Sequence, residues 1–506
     1  MTAKKINYSS LFGVLIVALV AVRLFLVYLP ISIFSHLVPP GVDPANHLVL
    51  IQSILDGSFK PDYPPLFHLL ISILSKIFSA DPLQVLKWVT PTLIILPSIG
   101  VYVFLRHNFN RLAAFIGFAI ALLATNYGFL AYVEGNYPNI MAAGFFMPIS
   151  LSYLLAATKQ NGKRNFWLAA LFFFLVIATH HLTAVLMLTI IYVYLSILTI
   201  WNYFEPLVPK IGRVLLSVTI VFLALGIIVY LTPFKKTFIQ GYESYLSTGS
   251  VVLSPLFKVI MDLPEYADAM GEFSFFLGII SVLYLITMLF RPKSETNKPA
   301  IILLLVWLVV ILLLSRTEVV GLPARIGREI AMPLLISSGI FIDDLIKNQR
   351  QIMSKCLALA FLGFMIYLNL SQFNAGVFRT PESFNGYVLL WPDDKEKIDN
   401  LNDITDPTDK VLANPLSPYL SYFSHDRIVL AQNHNLTRGG FLKAIETQEI
   451  DFIFIMHSVH PNPYEFWSDR NSTVAKLLQQ YSKEFDYEIY HSFPDGSVIY
   501  KVEKSL

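Results

Sequence analysis

Long apolar runs separated by short polar connections set the pattern of this chain. They lie near 8–29, 89–105, 111–131, 139–157, 166–179, 182–200, 213–231, 273–290, 299–315, 329–346 and 355–371. Most approach the roughly 20 residues that a helix needs to cross a bilayer, so the pattern predicts eleven transmembrane helices. Two of them meet at His180-His181, where the polar pair is read as a turn between spans rather than the middle of one bent helix. After residue 372 the pattern changes. Short β-type runs (Lys410–Ala413, Arg427–Leu430, Asp451–Met456, Tyr487–Tyr490, Ser497–Lys501) alternate with helical stretches near 417–424, 437–448 and 472–483, which predicts a small α/β domain. The expected fold is therefore a polytopic α-helical membrane domain over residues 1–371, with a large loop at 30–88, followed by a C-terminal extracytoplasmic α/β domain over residues 372–506.

Composition strengthens this reading. Of 506 residues, 55% are hydrophobic and only 14% charged, against roughly a quarter charged in soluble domains. The net charge of +2 gives no basic surface for nucleic acid. Cys356 is the one cysteine, which excludes an internal disulfide and a cysteine-based metal site. Lys4 and Lys5 precede the first apolar run, which lacks a small-residue cleavage site and is long enough to span, so it reads as a retained signal-anchor helix.

Basic residues orient the spans. Fifteen fall in one set of short loops, from Lys4 to Lys355, and nine in the longer alternate loops. The positive-inside rule then places the N-terminus in the cytoplasm and, with an odd number of spans, the C-terminal domain outside. Asp43, Asp56, Asp62, Asp81, Glu134, Glu243, Asp262, Glu265, Asp268 and Glu272 share that outer face, where function is expected.

The loop at 30–88 carries the densest chemistry. Asp43 stands in Gly41-Val-Asp-Pro-Ala-Asn-His47 and can cap a helix from Ala45 to Leu55, whose Leu48, Ile51, Ile54 and Leu55 suit it to lie in the membrane interface. Asp-Pro is also an ordinary turn opener. His47, one helical turn on, can share a proton or a metal with Asp43. Asp62-Tyr-Pro-Pro-Leu-Phe-His68 opens a further helix and supplies Tyr63 and His68. Arg325 and Arg328 are three residues apart and can grip phosphate oxygens through paired donors, or snorkel to lipid headgroups. Arg23, inside the first span, is costly there and is expected either to pair with Asp43 or Glu134 or to snorkel. Glu243 sits in the polar aromatic stretch Gly241–Gly249, suited to a mobile substrate loop. Asn435-Leu-Thr437 and Asn471-Ser-Thr473 are glycosylation sequons.

The order of these elements resembles the GT-C superfamily of membrane glycosyltransferases: one span, an outer loop with an early Asp, a helix, then a Tyr-Pro-Pro-Leu segment. Further segments fit it. Ala131-Tyr-Val-Glu-Gly-Asn-Tyr-Pro138 looks like the loop of the second acid, Ala178-Thr-His-His-Leu-Thr183 like a polar break between spans, and Pro323-Ala-Arg-Ile-Gly-Arg-Glu-Ile-Ala-Met-Pro333 like the arginine-bearing start of a late span. The Trp-Trp-Asp-Tyr-Gly string of oligosaccharyltransferase catalytic subunits is absent, and the Asp-Glu pair of protein mannosyltransferases and aminoarabinose transferases is reduced to Asp43-Pro44. The acceptor is therefore not carried over.

The resemblance implies a multi-pass plasma-membrane enzyme that moves a sugar from a polyprenyl phosphate or diphosphate donor to a protein, lipid or glycan acceptor on the outer face, with inversion. Asp43 would be the base and Glu134 its assistant. His47, Tyr63, His68, His180, His181, Glu243, Arg325, Arg328 and Arg23 would line the substrate site, with membrane lipid around it. A divalent cation, Mg or Mn, held by Asp43, Glu134 and His47, would offset the leaving phosphate. The competing reading is a transporter or flippase, which should instead place ionisable residues at mid-span and show related halves.

Overall fold

A computed structural model describes residues 8–33, 37–41, 43–59, 63–159, 163–204, 263–291, 297–316, 323–348, 360, 363–364, 367, 392–406, 408–414, 423, 428–429, 450–456 and 486–503. Asp62, Glu243, both sequons and the apolar run 213–231 lie outside them, as do nearly all of 355–371 and of the three helical stretches expected after residue 415.

Every other apolar run is helical. After α1 (Tyr8–Ile33) come α2 (Asp43–Leu55), α3 (Leu66–Phe78) and α4 (Pro82–Val89) of the loop at 30–88. The helical body continues through α5 (Leu96–Asn108), α6 (Arg111–Leu123), α7 (Tyr127–Val133), α8 (Tyr137–Met141), α9 (Met147–Lys159), α10 (Lys163–Thr179) and α11 (His181–Phe204). It closes with α12 (Leu263–Met270), α13 (Glu272–Met288), α14 (Lys298–Leu314), α15 (Pro323–Arg328) and α16 (Ala331–Asn348). The break expected at His180 is there, between α10 and α11.

Among the described residues four helical stretches are long and apolar enough to cross a membrane unaided: 82–108, 111–133, 137–158 and 181–203. A fifth is α12 with α13, bent by 107° between them. Gly13–Tyr28 and Lys298–Leu314 are shorter apolar helices, so the span count of eleven remains a sequence expectation.

Capping explains several helix starts. The Asp81 carboxylate accepts from the Leu83 amide at 2.7 Å ahead of Pro82, and Asn110 accepts from Leu112 and Ala113 at 2.9 and 3.1 Å. Asn110 also donates to Asp343 at 2.6 Å, tying the start of α6 to the far end of α16. Between these ends, α5 packs on α6 and α9, α16 on α6 and α13, and α11 on α14. They enclose one continuous apolar core that includes Val27, Ile71, Phe104, Leu151, Trp307 and Ile336.

The C-terminal part holds α17 (Pro392–Ile404), then β1 (Val411–Asn414), β2 (Ile428–Val429), β3 (Phe452–Ile455), β4 (Asp486–Ser492) and β5 (Val498–Glu503). All five strands fall where the β-type runs predicted them. They form one sheet in the order β2-β1-β3-β5-β4, parallel across β1 with β2 and β3, antiparallel across β5 with β3 and β4. Phe452, Phe454, Ile499 and Val411 of this sheet, with Ile398 and Leu401 of α17, pack against Val38, Ala45, Leu48 and Leu83 of the loop at 30–88.

That contact corrects the expectation for α2. Leu48 is buried against the sheet and Ile51 in the helical core, both at 0% exposure. Protein rather than membrane interface takes the apolar face of α2, and the helix that begins at Asp43 is clamped from two sides.

Candidate functional site

Two glycines bring the acidic loops together. Gly41 (φ 96°) precedes α2, and Gly135 (φ 81°) follows Glu134 at the end of α7. A Cβ on Gly41 would stand 2.6 Å from the Glu134 carbonyl carbon, and one on Gly135 would overlap the Pro44 ring. Only glycine fits both the left-handed backbone and this close approach. Asp43 and Glu134 therefore sit on loops in backbone contact.

Both acids are held by α15. Arg325 Nη2 lies 3.4 Å from Asp43 Oδ2, and Arg328 Nη1 pairs with Glu134 Oε2, which also accepts from Asn136 Nδ2 at 2.9 Å. Residues three apart share a helical face, so one turn presents both guanidiniums to both loops. The side chains of Arg325 and Asp43 remain 43% and 29% exposed, leaving the pair open to a ligand. Burial pushes the Asp43 carboxyl up from its ordinary value, and the Arg325 charge pulls it partly back.

Arg23 departs from one of its expectations. At 2% exposure it does not snorkel.

His47 joins the two loops at depth. Its Nε2 is 3.0 Å from the Gly135 carbonyl and its Nδ1 is 3.0 Å from His68 Nε2. A carbonyl only accepts, so Nε2 carries the proton of the neutral ring and Nδ1 accepts from His68 Nε2–H. Burial, opposed by the Gly135 carbonyl and helped by Arg325, lowers the His47 pKa to about 4. Burial, helped by His47 and opposed by the Pro64 carbonyl, lowers that of His68 to about 3.

This depression has a definite sign. Unfolded histidine binds a proton below about pH 6.5, whereas the folded pair resists it until about pH 4, so in that window the unfolded state holds more protons. Stability is expected to fall on acidification from pH 7 toward pH 4.5, by up to about 1.4 kcal/mol per pH unit for each histidine. Thermal unfolding of the purified protein across that range checks it, and His68→Gln should flatten the slope. An equally steep slope in the variant would assign the effect elsewhere.

The remaining predicted rings complete the cluster. Tyr63 stands edge-on to His68 at 5.4 Å and to His181 at 5.7 Å, and His181 is 5.6 Å from His180. Burial and the Asp43 charge push the Tyr63 hydroxyl up, keeping it a neutral donor. The structure thus gathers Asp43, His47, Tyr63, His68, Glu134, His180, His181, Arg325 and Arg328 from five parts of the chain.

As a metal-ligand set, Asp43, Glu134 and His47 do not fit. Both ring nitrogens of His47 are committed to hydrogen bonds and both acids to guanidiniums. Among the described residues no three His, Cys, Asp or Glu side chains converge as a cation site.

One acid in the site was not singled out from the sequence. Glu329, 4% exposed, accepts from Tyr127 Oη at 2.5 Å and from Asn139 Nδ2 at 2.6 Å. Asn139 Oδ1 accepts from Thr183 Oγ1 at 2.8 Å, and Thr183 Oγ1 is 2.8 Å from His180 Nδ1. The available signal was a carboxylate at the first position of an apolar run, a cost that requires partners.

No protein-family profile matches the chain, and no curated protein does. Solved structures do. The apo oligosaccharyltransferase of Archaeoglobus fulgidus is 15% identical, with a TM-score of 0.52 over 98% of this chain and 74% of that one. ArnT of Cupriavidus metallidurans, bound to undecaprenyl phosphate, is 14% identical with a TM-score of 0.59 over 96% and 97%. The mycobacterial arabinofuranosyltransferase AftD is 13% identical with a TM-score of 0.57 over 97% of this chain and 40% of that one. At such identities the likeness is one of fold. With its apolar helices, the chain is a multi-pass membrane protein carrying the fold of the GT-C membrane glycosyltransferases.

Proposed function

We propose that the protein is a membrane glycosyltransferase that takes a sugar from a polyprenyl phosphate or diphosphate donor and transfers it, with inversion, to a protein, lipid or glycan acceptor outside a plasma membrane. The observation that carries this reading is the half-open Asp43–Arg325 pair at the junction of two loops. A neighbour in fold binds undecaprenyl phosphate, and another was solved with a tethered acceptor peptide. In this reading the N-terminus is cytoplasmic, and α2 and the sheet face outward.

The chemistry follows from the pairing. A phosphate arriving at Arg325 competes with Asp43 for the guanidinium, since Arg grips phosphate oxygens through two donors. Release from Arg325 removes the charge that lowers the Asp43 pKa, so donor binding strengthens the base. Asp43 then takes the proton of the acceptor hydroxyl or amide as that atom bonds to C1 of the sugar. The C1–O bond to phosphate breaks with its electron pair leaving on phosphate, where Arg325 and Arg328 offset the charge. Glu134, held by Arg328 and Asn136, fixes the loop that faces Asp43.

The test is product formation by purified protein in lipid with a panel of polyprenyl-phosphate sugars and acceptor peptides, lipids and glycans. Donor-dependent transfer is expected. Consumption of no donor, together with vectorial movement of one across the bilayer, would replace the enzyme by a transporter.

A further inference from the structure

Glu329 follows Arg328 directly and gives its two carboxyl oxygens to two different helices. Oε2 meets Tyr127 Oη at 2.5 Å, at the start of α7, and Oε1 meets Asn139 Nδ2 at 2.6 Å, within α8. Between those helices lies Glu134, the partner of Arg328. Two adjacent residues therefore clasp the segment 127–139 at its start, in its middle and at its end. Gly135 of the same segment rests against Pro44, so the clasp also reaches the loop of Asp43.

Apolar packing alone leaves the aim of α15 open. The helix has six residues and lies on α12 and α14, with Ile326 buried in the apolar core at 1% exposure. Apolar burial is non-directional, so it sets the depth of Ile326 more than the rotation of the turn. Hydrogen bonds weaken steeply away from their preferred angle. The Glu329 amide donates to the Ile326 carbonyl at 3.0 Å, which joins Glu329 rigidly to the turn. Holding its carboxyl on Tyr127 and Asn139 then fixes the rotation that points Arg328 at Glu134.

Neither contact depends on the charge of Glu329. An ionised carboxylate accepts from both partners. In a protonated one, one oxygen still accepts while the other donates, and both Tyr127 Oη and a turned Asn139 amide are able to accept. A glutamine in its place, with one acceptor and one donor branch, keeps the tether for the same reason.

We propose that Glu329 is a positioning residue for the phosphate site: by tying α15 to α7 and α8 it holds Arg328 in register with Glu134 and with the arriving donor phosphate. The proposal rests on the lipid-donor reading above and deepens it, since Arg328 is there one of the two guanidiniums that meet the phosphate. Paired contacts from one guanidinium need a fixed orientation, and a small misplacement of a clamping group is costly.

The test is equilibrium binding of undecaprenyl phosphate to the full-length protein in lipid nanodiscs, with each variant made in wild type and in an Arg328→Ala background, and with thermal unfolding alongside. Glu329→Leu keeps the bulk and loses both contacts. It is expected to weaken binding about tenfold in wild type and less than about twofold once Arg328 is gone, because a residue that acts through Arg328 has nothing left to position. Tyr127→Phe removes a single hydroxyl and should show the same pattern at about threefold, which carries the test should Glu329→Leu fail to fold. Glu329→Gln should stay within about twofold of wild type. A Glu329→Gln protein as weak as Glu329→Leu overturns the proposal, because charge rather than the tether would then be at work. A loss of equal size in both backgrounds also overturns it, since that is what a general loosening of the structure produces. So does unchanged binding in both Glu329→Leu and Tyr127→Phe. Wild type that binds no undecaprenyl phosphate overturns the lipid-donor reading itself.

Discussion

Asp43→Asn is expected to lower the turnover of sugar transfer by about 10²–10⁴-fold, the usual contribution of a general base, in a protein that still folds. Asparagine keeps the size of aspartate, can still accept from Arg325, and caps a helix as well as aspartate does. The pair it disrupts is 3.4 Å long and a third or so exposed, so its loss costs at most about 1 kcal/mol of stability. What disappears is the ability to hold a proton.

The Michaelis constant for the donor separates this role from another. If Asp43 merely occupied Arg325 until phosphate arrived, the variant would bind donor more tightly and turn over unchanged. A base that also competes for Arg325 predicts a large fall in kcat with a KM that stays level or drops. Turnover within a factor of two of wild type would remove Asp43 from the chemistry and leave it as a latch. Thermal unfolding of both proteins supplies the folding control.

Much of the architecture was written locally. Apolar runs gave the helices, the His180-His181 pair gave the break, and alternation gave all five strands, because each of these depends on neighbours within a few residues. α17 escaped notice because Pro-Asp-Asp-Lys-Glu-Lys is polar; Ile398 and Leu401 are buried beneath the sheet, and Ile404 packs partly buried against them. Leu48 could be read as apolar, but whether lipid or protein covers it is settled by a sheet more than 360 residues away in sequence.

The site divides in the same way. That Arg325 and Arg328 share a face follows from their spacing; that they bind Asp43 and Glu134 does not, because those partners are 282 and 194 positions distant. Glu329 was visible as a letter and not as a role, since its donors Tyr127 and Asn139 lie 202 and 190 positions away. The surroundings of His47 were illegible for a related reason. One helical turn puts His47 near Asp43, yet the Gly135 carbonyl and His68, both from other segments, occupy its ring first.

That closure of distant loops makes Gly135 a sensitive position outside the reacting groups. Gly135→Ala is expected to destabilise the protein by about 2–5 kcal/mol, combining a left-handed penalty of about 1–2 with overpacking of about 1–3, and to cut transfer at least about tenfold. The added methyl would overlap the Pro44 ring and lie 3.0 Å from the Pro44 nitrogen. Pro44 follows Asp43 at the start of a helix clamped between core and sheet, so it has little room to retreat. Relief must come from the Gly135 loop, whose movement lengthens the His47 hydrogen bond and draws Glu134 from Asp43. Gly57→Ala is the control. It has the same kind of backbone, φ 73°, but nothing within 4 Å of the new methyl, so it should cost only the left-handed penalty and leave transfer intact. If thermal unfolding and transfer assays found the two variants alike, the two acidic loops would not be interlocked, and the alignment of Asp43 with Glu134 would need another cause.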